Sequence, residues 1–229
     1  RVLLERFPLP ETWPSAHRLR IESILCHFEQ RPERSLELAQ QALAEADKLQ
    51  ARRLSALCRQ ALAEALCDSS QYEAARAPLQ ESLDWARRAG DAQVLGFSLL
   101  SLGRLQHELG QDVLARQAWE SSELAFLSQG NRNGAAMARL NLLRLEKSHG
   151  GRDDKNWQRC WKASEECGNP LLQAELLKLQ ACPDSELKAQ PLAPSVAARP
   201  PASGQTGLQV RLFGDLQVVG PLGRACVES

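Results

Sequence analysis

The stretch that decides the fold is Asp91–Gly130, which reads DAQVLGFSLLSLGRLQHELGQDVLARQAWESSELAFLSQG. Within it Leu95, Leu99, Leu102, Leu105 and Leu109 recur at three- and four-residue steps, the spacing that lines one face of an α-helix. Arg104 and Glu108 fall off that stripe. Gly110-Gln111 interrupts the run, and a second helical run carrying Ala115 and Trp119 continues to Gly130. Two helices joined by so short a turn form an αα-hairpin. A glycine just past a helix can take the positive φ of a terminating residue, and an Asp or Asn after it can cap the next helix.

The same punctuation recurs outward from this unit. Arg88-Ala89-Gly90-Asp91, Ser128-Gln129-Gly130-Asn131 and Glu166-Cys167-Gly168-Asn169 each close an Ala/Leu-rich segment. Gly90 and Gly130 lie 130 − 90 = 40 residues apart, and Gly168 follows 38 later. Leu79, Trp119 and Trp157 each precede their glycine by 11 residues, and Ala75 and Ala115 by 15. Inner breaks fall at Cys67-Asp68-Ser69-Ser70-Gln71, at Gly110-Gln111 and at His149-Gly150-Gly151-Arg152. This pattern predicts helix pairs over residues 14–182, with turns inside the pairs near 30, 69, 110 and 151. Turns between pairs are predicted near 50, 90, 130 and 168. A pair with one apolar face cannot bury it alone, so neighbouring pairs must stack. Pro78, inside the second helix of its pair, predicts a local kink.

The third unit resembles a tetratricopeptide repeat (TPR). Leu99, Leu102-Gly103 and Gln106 occupy that family's marker positions on the first helix, and Ala115, Trp119 and Ser122 those on the second. The second unit matches through Leu62-Ala63, Leu66, Ala75, Leu79 and Ser82, with Arg59 where a large apolar residue is usual. The first and fourth units depart further, the fourth keeping Trp157 and its closing glycine. A forty-residue period is longer than the usual ~34. It looks like the long repeats of bacterial regulators of the maltose-regulator (MalT) type.

The resemblance implies an all-α chain: a right-handed α-solenoid of TPR-like helical hairpins over residues 1–182. Leu99, Leu102, Gly103, Ala115, Trp119 and Trp157 are its structural positions. It further implies a concave face lined by the first helices. That face carries Leu57, Gln60 and Glu64, then Phe97, Leu100, Arg104 and His107, then Met137, Leu140, Arg144 and Lys147. The partner-binding set is Phe97, Arg104, His107, Met137, Arg144 and Lys147, a basic strip beside two apolar side chains. Such a strip suits a protein or peptide ligand with acidic groups or a free C-terminal carboxylate. A solvated helix face is the plainer account of the same residues.

From Pro183 the periodicity stops. Residues 183–207 hold Pro183, Pro191, Pro194, Pro200 and Pro201 among Ser, Ala and Gly, the composition of an extended linker. In residues 208–229, two β-prone runs flank Gly214-Asp215 and predict a β-hairpin. The string Val210-Arg211-Leu212-Phe213-Gly214-Asp215-Leu216-Gln217-Val218 is similar to the opening strands of the OmpR-like winged-helix domain of bacterial transcriptional activators. That resemblance implies DNA reading by regions beyond this segment. A lone hairpin has unpaired edges, so it is also the expected route to a homodimer. An edge hairpin capping the solenoid is the other reading of the same residues.

Composition narrows the function. The 229 residues carry 28 basic and 28 acidic side chains, a net charge of +0, which supplies no global field toward nucleic acid or an anionic membrane. The seven cysteines form no CxxC pair and have no histidine at ligand spacing, so they read as free buried thiols rather than a metal site. No cofactor and no metal are expected. There is no Gly-rich phosphate loop and no nucleophile elbow, and His17, His27, His107 and His149 are spread one to a helix or turn. No apolar run approaches the ~20 residues that span a bilayer. The opening Arg1-Val2-Leu3-Leu4 carries no export signal and suggests an internal start within a longer protein. The expectation is a non-catalytic, cytoplasmic interaction or sensor module of a bacterial transcription regulator. A free-standing TPR adaptor or co-chaperone that docks a protein tail is the alternative.

Overall fold

A computed structural model describes residues 14–150 and 154–181, and the backbone alone of 209–210 and 218–219. The helices are α1 (Ser15–Phe28), α2 (Pro32–Lys48), α3 (Arg52–Asp68), α4 (Tyr72–Ala89) and α5 (Ala92–Glu108). They continue as α6 (Asp112–Ser128), α7 (Arg132–Ser148), α8 (Asp154–Cys167) and α9 (Pro170–Ala181). Most are one length because the turns are evenly spaced. Gln30, Gln50, Ser70, Gly90, Gly110, Gly130 and Gly150 all have positive φ, between 51° and 76°, at twenty-residue intervals. At each of the first six, the next residue's amide reaches back five positions to close the helix. Arg31 N donates to Cys26 O, Gln71 N to Leu66 O and Asn131 N to Phe126 O in this way. Asp91 and Asn131 then cap the following helices, accepting from the amides of Val94 and Gly134 at 2.9 Å.

The helices pack as α1/α2, α3/α4, α5/α6 and α7/α8 pairs. The first helices α1, α3, α5 and α7 touch in succession, whereas α2, α4 and α6 do not touch one another. The first helices are therefore the inner layer of a curved stack and the second helices its outer layer. Residues 40 apart sit at equivalent places in the core. Ala39, Leu79 and Trp119 are all buried on the second helices, as are Ala46, Ala86 and Phe126.

Residues facing these positions change size in compensation. Opposite Trp119 stands Gly103, where an added Cβ would lie 2.3 Å from the indole nitrogen. Forty residues earlier the pair is Leu79 with Ala63. The ring of Phe126 is flanked by Gly96 of α5 and Gly134 of α7, whose added Cβ atoms would come within 2.8 and 2.5 Å. In the preceding unit the smaller Ala86 packs with Ala56 and Val94. A second register of contacts ties the outer helices α4, α6 and α8 to their own inner helices. Ser82 Oγ donates to Ala56 O at 2.8 Å, Ser122 Oγ to Gly96 O at 2.7 Å and Cys160 Sγ to Ala136 O at 3.8 Å.

One detail differs from the sequence expectation. The inner helices are buried on several sides, not along one stripe: in α5 Val94, Gly96, Ser98, Leu99, Ser101, Gly103, Arg104 and Leu105 are all buried. Each lies between its own outer helix, the preceding outer helix and the neighbouring inner helices, so one apolar face does not suffice. Pro78, where the sequence predicts a kink, lies inside α4, which runs from Tyr72 to Ala89.

Gln209–Val210 (β1) and Val218–Val219 (β2) pair antiparallel, with Gln209 opposite Val219. The turn between them, the linker and the expected dimer contact lie outside the described residues.

Candidate functional site

The inner layer brings the side chains of successive first helices together as a ladder of polar bonds. Arg104 of α5 is 7% exposed and pairs with two carboxylates of α3, Glu64 Oε2 at 2.7 Å and Asp68 Oδ1 at 2.6 Å. The other oxygen of Asp68 meets His27 Nδ1 of α1 at 2.5 Å. Thus three inner helices share one charged cluster. Gln60 Nε2 of α3 donates to Ser101 Oγ of α5 at 2.8 Å. Toward the other end, Arg144 of α7 meets Glu175 of α9 at 2.5 Å, and Lys147 donates to the carbonyl of Leu179.

Pairing and burial compete at the best-buried members of the ladder. Burial alone would raise Asp68, but the hydrogen bonds and charges of His27 and Arg104 outweigh it and hold the carboxyl below its ordinary range. Burial would likewise lower Arg104, and the paired carboxylates of Glu64 and Asp68 more than reverse that. At Arg144 the balance is opposite. Burial pushes it down, and the Glu175 carboxylate offsets this only in part.

The six predicted partner-binding residues do line the first helices, with their chemistry already engaged. Phe97 packs edge-on against Phe126, with ring centroids 4.9 Å apart. Met137 is partly buried against the cluster formed by Ala136, Leu140, Leu143 and Cys160. His107 Nδ1 is 2.7 Å from Asp112 Oδ1, and its ring lies 6.0 Å from that of Trp119. The basic strip inferred from sequence is therefore already engaged by groups of the chain itself. Sequence reading missed the acidic half, Asp68 and Glu175, and it missed His27. One signal was available: Glu64 and Arg104 lie 104 − 64 = 40 residues apart, one repeat, and so occupy adjacent places in the inner layer.

The structural positions lie in or against the core. Trp119 is fully buried and donates from Nε1 to Leu100 O at 3.1 Å, while Ala115 and Leu99 are also buried. Leu102 and Trp157 are partly buried against neighbouring clusters.

Burial raises the thiols of Cys58, Cys67 and Cys160 to about 12, so they remain protonated at neutral pH and are poor nucleophiles or metal ligands. Among the described residues, no three His, Cys, Asp or Glu side chains are grouped to hold a metal. A small cleft of about 100 Å³ is lined by Glu123, Arg139, Leu142, Leu143, Asn156 and Arg159. Ligand pockets usually occupy roughly 300–1,000 Å³. No described helix is long and apolar enough to cross a membrane.

No family model and no curated protein matches the sequence. Solved structures do match the fold. A Rap protein complexed with competence and sporulation factor superposes with a TM-score of 0.64 at 20% identity, over 70% of this chain and 46% of that one. Aspartyl phosphate phosphatase F from Bacillus subtilis gives 0.62 at 18% identity, over 75% and 47%. The apo form of RapI gives 0.57 at 16%, over 75% and 49%. The chain thus spans about half the length of each. At these identities the likeness is one of fold, and the chain has a TPR-like helical-repeat fold.

Proposed function

We propose that this chain is a non-catalytic protein-interaction module that receives a protein or peptide along its inner layer, within a cytosolic bacterial transcription regulator. The observation that carries this reading is the row of first helices with largely buried, paired charged side chains. A row of helices presents one surface long enough for an extended segment, and paired ions along it can exchange partners with a ligand's carboxylates. One of the similar structures is a complex with competence and sporulation factor, which supports a binding role for the fold.

On this reading Phe97 and Met137 supply apolar contact. His107, Arg144 and Lys147 supply donors, and Arg104 is held in place by Glu64 and Asp68. The regulator context rests on the winged-helix-like string Val210–Val218, whose ends belong to the paired strands Gln209–Val210 and Val218–Val219. DNA reading would belong to regions beyond this segment. A free-standing adaptor is the second reading, favoured by the balanced charge.

Fluorescence anisotropy with a labelled hexapeptide ending in two acidic residues and a free carboxylate tests the ligand class. Binding that weakens about tenfold on C-terminal amidation, and again in Lys147→Met, is expected. Equal binding of the amidated peptide removes the carboxylate from the reading. The coding sequence after Ser229 separates regulator from adaptor: a winged-helix continuation is expected, and a stop codon favours the adaptor.

A further inference from the structure

The polar ladder of the inner layer ties α1 to α3 through His27–Asp68, and α3 to α5 through Glu64 and Asp68 with Arg104. It ties α7 to α9 through Arg144–Glu175. Among the described residues, no side-chain hydrogen bond or ion pair ties α5 to α7; Glu108 and His107 of α5 turn instead to Tyr72 of α4 and Asp112 of α6. Both halves of the missing rung are nevertheless present. Glu108 stands one forty-residue repeat after Asp68, and Arg144 one repeat after Arg104. The register that brings Asp68 and Arg104 to 2.6 Å therefore assigns Glu108 to Arg144, with a side chain one methylene longer.

Each half is short of a partner. Glu108 Oε2 accepts from Tyr72 Oη at 3.4 Å, and Oε1 is buried with no hydrogen-bond donor. Such an oxygen is uncommon in an interior, because it loses water without replacement. Arg144 Nη2 holds Glu175, whereas Nη1 reaches only Asn141 Oδ1, at 3.4 Å. Arg104 holds two carboxylates with the same planar fork; Arg144 holds one, which offsets its burial only in part. The ring of Phe126, set between Gly96 of α5 and Gly134 of α7, spaces the two helices. The preceding unit has Ala86 in its place, and α3 and α5 touch over more of their length than α5 and α7 do.

We propose that Arg144 is a two-position latch, which fastens α9 through Glu175 in one setting and fastens α7 to α5 through Glu108 in the other. The exchange moves one guanidinium between two carboxyl groups and changes no covalent bond. In the second setting α9 loosens without leaving, because Leu172, Leu176 and Leu179 still anchor it in the cluster with Leu140 and Cys160. The latch needs no ligand, so it stands apart from the binding reading.

Hydrogen–deuterium exchange of the 229-residue chain without peptide, read by mass spectrometry on α9 and on α3, tests this. Glu108→Gln removes the competing carboxylate and keeps the side chain's shape. It should slow exchange in α9 by at least about threefold and leave α3 unchanged. Glu108 lies on α5, and among the described helices α9 touches only α7 and α8, so a role confined to the packing of α5 would not reach α9. Glu175→Gln should have the opposite sign, speeding exchange in α9 by at least about threefold. In an Arg144→Met background, Glu108→Gln should have no effect on α9. Exchange in α9 that is unchanged or faster in Glu108→Gln overturns the proposal, as does the same slowing without Arg144. An equal slowing in α3 marks a general stabilisation and overturns it too.

Discussion

Gly103 and Trp119 fill one space between α5 and α6: a Cβ on the glycine would come 2.3 Å from the indole nitrogen. The equivalent positions forty residues earlier hold Ala63 and Leu79, which share the same job with the volume divided differently. Between these two units bulk has been exchanged across the shared space: the larger Trp119 faces a glycine, the smaller Leu79 an alanine. Close packing makes that necessary, since an interior has no slack for an added methyl group.

Gly103→Ala should destabilise the chain by about 1–3 kcal/mol through overpacking. Trp119→Leu alone should cost less than the ~3–5 kcal/mol of truncation to alanine, because leucine leaves a smaller cavity. Combining the two recreates the Ala63/Leu79 arrangement, so the double variant should be more stable than Trp119→Leu alone. Urea denaturation of the four proteins measures the coupling; additive losses would show that the two positions do not share one space.

Phe126 offers the same test across two units. Phe126→Ala should lose about 3–5 kcal/mol. Adding Gly96→Ala and Gly134→Val copies the Ala56, Ala86, Val94 set of the preceding unit and should recover a large part of the loss. Thermal unfolding followed by circular dichroism reads the recovery, and no gain over Phe126→Ala would contradict the equivalence of the units.

The repeat was legible because glycine marks it. Gly90, Gly110, Gly130 and Gly168 name their turns directly, since the left-handed conformation needs no side chain to be tolerated. Gln30, Gln50 and Ser70 adopt the same conformation without that signature, so the first unit read as degenerate although its turns keep the period. The candidate site was legible in position and not in electrostatics. Arg104 was read as lying off the apolar stripe of an amphipathic helix, but α5 is an inner helix packed on several sides. Its guanidinium was already committed to Glu64 and Asp68.

Acid should unfold the chain partly through Asp68. Its folded-state pKa is depressed, so its contribution is fully present above the unfolded value of about 3.9 and is lost as pH falls through the lower folded value. Asp68→Asn should cost about 2 kcal/mol at pH 7. The deficit should shrink below about pH 4, where the parent loses the same charge. A deficit independent of pH would show that the ionised carboxylate contributes nothing.

Ser122→Ala should cost about 0.5–1.5 kcal/mol by removing the bond to Gly96 O. Ser82→Ala should cost more, because Ser82 makes the equivalent bond one repeat earlier and also bonds Ser98 Oγ at 2.8 Å. Paired denaturation curves check this; equal losses would mean that the Ser82–Ser98 bond adds nothing to stability.

The central claim is that the inner layer is the binding surface. Nuclear magnetic resonance of the ¹⁵N-labelled chain, titrated with the acidic hexapeptide that keeps its free carboxylate, tests it most directly. Shift changes concentrated on α3, α5 and α7, including Phe97, His107 and Lys147, are predicted. Changes confined to the outer helices α2, α4 and α6, or none up to about 1 mM peptide, would contradict it.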